Sequence, residues 1–150
     1  MSAPALAADI TRRKTGIGVN TALTSRQDLQ GGLALTLRAR EQMLIRISAP
    51  YVQAARVHPG WGAGADVLWR TGPELKAGDT KLFLRYGPGL LIGTDSYGVE
   101  SLAVVQGVAS AEAHLSSAPV TISMELRPQL VLAPYAAADL ALGTEVSWWF

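Results

Sequence analysis

The chain has no cysteine, two histidines, two phenylalanines and three lysines in 150 residues. Without cysteine there is no disulfide framework, no thiolate nucleophile and no thiolate metal site. His58 and His114 stand far apart, and neither has the neighbouring histidine and carboxylate that a cupin-type metal site requires, so no metal and no cofactor are expected. No G-x-S-x-G elbow is present, and Gly16-Ile17-Gly18 lacks the preceding strand and third glycine of a dinucleotide loop. A net charge of +1 excludes a broad electrostatic footprint, hence no nucleic acid. No apolar run approaches the ~20 residues of a membrane helix. The opening MSAPALAADITRRK places its basic cluster after the apolar part, the reverse of a secretory signal. The expectation is a non-enzymatic protein with no membrane contact.

What is present is apolar and strand-like. Hydrophobic residues make up 49% of the chain against 17% charged, a balance that favours contact with other protein over an isolated surface in water and so predicts a homo-oligomer. Ten arginines against three lysines fit either interface chemistry or plain compositional bias.

Residues 33–150 read as a single β-domain. Asp79 to Val108 is its centre: Leu82, Leu84 and Tyr86 alternate with Lys81, Phe83 and Arg85, and Gly87-Pro88-Gly89 reads as a hairpin turn into Leu90-Leu91-Ile92. Leu33 to Arg40 and Met43 to Ser48 alternate as half-buried strands, with Tyr51 to Val57 a weaker one. HPGWGAGAD, with three glycines and a proline, reads as a loop. Val99 to Leu115 fits strand or helix. Val120, Ile122, Met124 and Leu126 against Thr121, Ser123, Glu125 and Arg127 is the cleanest alternation. Residues 134–142, with proline at the start and Gly143 after, read as one short helix before a last strand through Val146, Trp148 and Phe150. Seven to nine short strands with Gly and Pro punctuation predict an all-β antiparallel sandwich, jelly roll or small barrel.

Residues 1–32 are too poor in core residues to fold alone and read as an N-terminal arm. Its side chains Leu6, Ile10, Ile17, Val19, Leu23 and Leu29 are spaced too irregularly for one helix but would dock along an extended path on a neighbour. Asp66, Asp79 and Asp95 sit at turn positions, where aspartate ordinarily bonds its own backbone. Among the aromatics, Trp61, Tyr51 and Trp149 are candidates for a ligand or partner platform, with core filling as the competing use.

An all-β domain with an arm and no catalytic set resembles bacteriophage virion structural proteins, such as capsid decoration or tail components. That resemblance implies a structural subunit located in the virion, partnered by itself and other assembly proteins. The alternative is a glycan- or receptor-binding module built on Trp61. The ending Val146-x-Trp148-x-Phe150 also resembles the terminal strand of outer-membrane barrels. That reading is set aside here because no secretory signal precedes it and many strands lack the polar lumen face such barrels need.

Overall fold

The computed structural model describes residues 12–25, 29–53, 60–95 and 101–150. Eight strands follow in order: β1 (Thr15–Thr24), β2 (Leu29–Arg40), β3 (Met43–Gln53), β4 (Gly60–Ala77), β5 (Thr80–Asp95), β6 (Ser101–His114), β7 (Val120–Ala133) and β8 (Ala137–Trp149). Each pairs antiparallel with the next, and β8 returns to β1 through ladders such as Ile17↔Trp148 and Leu23↔Leu142. The sheet is a closed barrel. Closure leaves no sheet edge to template aggregation, which is how such long, apolar strands are tolerated.

Stepping across the ladders from Ile17 through Leu35, Ile47, Ala65, Leu90, Val105, Leu130 and Ala138 returns to β1 roughly ten residues further on. An eight-stranded barrel with that stagger tilts its strands by about 40° and has an interior just wide enough for side chains to fill.

Both termini of the barrel lie at one end, together with two-residue turns at Glu41–Gln42 and Gly78–Asp79. Gly78 has φ 63°, the left-handed geometry that tight hairpin turns need and glycine adopts without strain. Pairing of β3 with β4 stops at Met43↔Trp69, whereas β4 and β5 continue to Ala77↔Thr80. The β4–β5 hairpin therefore overhangs the barrel at the end that carries the termini.

Several expectations are corrected. The architecture is a closed eight-stranded barrel, not a sandwich or jelly roll, because β1 and β8 zip together. No α-helix occurs among the described residues, and 137–149 is β8: its small residues alternate in step with β7 and β1. The proposed arm contributes β1 and the start of β2, so no boundary falls at 32/33; Gly16, Gly18, Gly31 and Gly32 all lie in ladders. Gly87-Pro88-Gly89 does not turn but continues within β5, and residues 60–66 of the expected Trp61 loop are the first part of β4.

The deepest correction concerns the two faces. The alternation is present, but the polar face is buried and the apolar face is outside. On β7, Thr121, Ser123, Glu125, Arg127 and Gln129 are buried, while Ile122, Met124, Leu126 and Leu130 are exposed. The same inversion runs through β1 and β8.

Candidate functional site

The lumen is filled by a charged network centred on Arg46. This side chain projects inward from β3, between the outward-facing Ile45 and Ile47, and is 3% exposed. Its Nε and Nη2 donate to Asp66 Oδ2 at 2.9 and 2.7 Å, and its Nη1 donates to Glu145 Oε2 at 2.9 Å. Both terminal nitrogens also donate to Glu125. Glu125 in turn accepts from Arg127, with Nε at 2.8 Å. Gln106 Nε2 donates to Asp66 Oδ1 at 2.9 Å, Gln106 Oε1 accepts from Gln129 Nε2 at 3.0 Å, and Ser147 donates to Glu145. Strands β3, β4, β6, β7 and β8 are thereby tied across the barrel axis.

Asp66 and Trp149 are each admitted by a glycine. A Cβ on Gly89 would strike the Asp66 carboxylate, and one on Gly16 would lie 3.1 Å from the Trp149 ring. Inward glycines here are spaces for their neighbours rather than breaks in the strand.

Towards the end that carries the termini, Arg85 Nε donates to Glu112 Oε2 at 2.9 Å, and the His114 ring lies 3.3 Å from the same oxygen. Phe83 packs on His114 with centroids 4.5 Å apart, and the Arg70 guanidinium lies 4.6 Å from the Phe83 centroid. Trp149 closes this end. It is 2% exposed, packs with Leu44, Leu68 and Val108, and donates from Nε1 to Thr121 Oγ1 at 3.1 Å. Arg38 stacks 5.1 Å from its ring centroid, and Arg13 Nη1 donates to its carbonyl at 2.6 Å. Towards the opposite end, a cavity of about 20 Å³ lies among Asn20, Gln30, Ser48, Gln106 and Arg127, room for about one water. The lumen described here is packed through rather than open.

The outer face is the counterpart. Apolar side chains ring the barrel, among them Val19, Leu33, Ile47, Leu90, Leu126 and Leu142. Exposed aromatics gather at two levels: Trp69, Tyr86, Trp148 and Phe150 near the end that carries the termini, Trp61 and Tyr135 near the other. Thr21 and Thr144, polar groups within the apolar belt, hydrogen-bond each other at 3.2 Å.

The sequence-derived candidates fall as follows. Trp61 is outward on β4 and 66% exposed. Tyr51 is its backbone partner on β3. Trp149 is no platform, being sealed in the lumen. Ile17, Val19 and Leu23 face outward from β1 and Leu29 begins β2, so they belong to the barrel wall. Leu6 and Ile10 lie outside the described residues. Asp66 is not a turn residue but an ion-pair partner of Arg46. The network itself was missed, although Glu112-x-His114, Glu125-x-Arg127 and Glu145-x-Ser147 each repeat polar residues at a period of two between apolar ones.

No protein-family model and no curated protein matches the chain. Among solved structures it is similar to Neisserial surface protein A (NspA): TM-score 0.61 and 10% identity, over 91% of this chain and 96% of that chain. At this identity the likeness is one of fold. Together with the closed topology it overturns the reading as a virion subunit, whether decoration or tail protein, and with it the virion location. The low surface charge, taken from sequence as a sign of oligomerisation, has its explanation in the inverted barrel. The expectation of no membrane contact loses its ground: the polar lumen face that many strands were expected to lack lines every strand from β3 to β8.

Proposed function

We propose that the chain is a membrane-spanning β-barrel, closed to solutes and without enzymatic activity, that serves as a surface-displayed anchor or scaffold. The observation that carries this reading is the inverted polarity: a hydrogen-bonded ionic interior inside a continuous apolar exterior bordered by aromatic residues. In water such an exterior far exceeds the few hundred Å² of apolar patch that a soluble monomer shows. In a bilayer it matches the hydrocarbon, and closure satisfies every ladder hydrogen bond where water is absent. The dimensions agree. The ten residues of β1, at ~3.4 Å rise and a tilt of about 45°, cover ~24 Å, close to the ~25 Å apolar band of membrane barrels. The lumen acids are paired with lumen bases and Trp149 closes one end, which supports a scaffold rather than a channel or a catalyst.

The test is folding from urea into phosphatidylcholine vesicles. The expected result is a protease-resistant β-structured species that forms only when lipid or detergent is present, and that gives no conductance steps in a planar bilayer. A monodisperse folded protein in plain buffer would overturn the membrane reading, and discrete conductance would overturn the closed lumen.

A further inference from the structure

Among the described residues the two ends of the barrel differ in charge. At the end that carries the termini, Arg12 and Lys14 precede β1, Arg40 closes β2, and Lys76 and Lys81 stand on the overhanging hairpin. Described carboxylates at this end are fewer: Glu41, Glu74 and Asp79. At the opposite end the described residues carry Asp95 and Asp139 and no lysine or arginine. All three lysines of the chain therefore lie at one end, just beyond the level of Trp69, Tyr86 and Trp148.

One detail separates this collar from ordinary solvated charge. Lys76 and Lys81 are direct cross-strand partners, an arrangement that costs stability when like charges stand opposite without a counterion. Glu74, 3.8 Å from Lys81 Nζ, neutralises one of the two. The pair projects from a hairpin whose β4 edge has no β3 partner, so an anion can reach it from the side.

We propose that this collar binds the phosphates of anionic phospholipid headgroups, giving the barrel a lipid preference and fixing the end that carries the termini in an anionic leaflet. The inference rests on the membrane reading above. Aromatic rings at the edge of the hydrocarbon set the depth, and flexible lysine and arginine stems just beyond them reach the phosphate plane. Each such cation near an anionic surface strengthens association about fivefold at low salt, an effect that fades within a Debye length of about 10 Å at 0.1 M salt.

Brominated-lipid quenching in a Trp61→Phe background tests it. With Trp149 sealed in the lumen, the outward indoles that remain, Trp69 and Trp148, both report from the collar end. Brominated phosphatidylglycerol is expected to associate several-fold more strongly than brominated phosphatidylcholine at low ionic strength. The preference should shrink in high salt and fall to about one in a Lys14→Gln/Arg40→Gln/Lys76→Gln variant. Equal association of the two lipids with the parent protein, or an undiminished preference in the triple variant, overturns the proposal. Absence of quenching by either lipid would instead overturn the membrane reading on which it rests.

Discussion

Three outward leucine and valine positions of similar exposure separate a barrel in lipid from a barrel in water. Val19 is 57% exposed, Leu126 42% and Leu75 51%. Val19 lies at the middle of β1 and Leu126 near the middle of β7. Leu75 lies on the overhang, past the last β3–β4 pair, where β5 is its only ladder partner. In water an arginine at any of these half-exposed sites changes stability by about 0.5 kcal/mol or less. In a bilayer the cost depends on depth: about 2–4 kcal/mol at the midplane and ~0–1 near the interface. Val19→Arg and Leu126→Arg should therefore each destabilise the barrel by about 2–3 kcal/mol more than Leu75→Arg does. The assay is reversible denaturant titration in lipid vesicles, followed by tryptophan emission. Equal costs at the three sites would refute the placement of the belt, and a larger cost at Leu75 would refute the overhang.

Other consequences follow from the lumen. Arg46→Met leaves Asp66 and Glu145 without their cation and Glu125 with Arg127 alone, and should cost about 3–5 kcal/mol in the same titration. Gly16→Val forces methyl groups into the Trp149 ring and should cost about 1–3 kcal/mol, with a shift in the emission of that indole. Trp149→Ala should cost about 3–5 kcal/mol yet leave planar bilayers free of conductance steps, because the Arg46 network still blocks the axis.

How much was legible follows from what alternation encodes. Period two identifies a strand and divides its residues between two faces, and that division was correct for Leu33 to Arg38, for Val120 to Arg127 and for the last strand. It does not say which face meets the solvent. Assigning Leu126 inward and Glu125 outward assumes water outside, and the same pattern with lipid outside has the opposite meaning. Glycine misled for a related reason. In HPGWGAGAD and Gly87-Pro88-Gly89 it signals turns in a soluble protein, whereas in this narrow lumen it is the residue that admits Asp66 beside Gly89. The contacts among Arg46, Asp66, Glu125 and Glu145 join four strands, and no local pattern along one strand can reveal them.

The uneven use of arginine and lysine has a geometric reading in this barrel. Within an eight-stranded lumen there is room for few side chains at each level, so one cation must serve several acids at once. Arg46 does so with a planar fork directed at Asp66, Glu125 and Glu145, and Arg127 adds two donors to Glu125. A lysine at position 46 would carry the same charge as a single compact, strongly hydrated ammonium, which cannot span three carboxylates from three strands and surrenders water less readily. Arg85, hydrogen-bonded to Glu112, follows the same logic. Lysine occurs only at positions 14, 76 and 81, outside the lumen at one end, where hydration is retained and a flexible stem is useful. Among the described residues the cations buried in the lumen, Arg46, Arg85 and Arg127, are therefore all guanidinium, whereas the three ammonium groups stand outside it at one end.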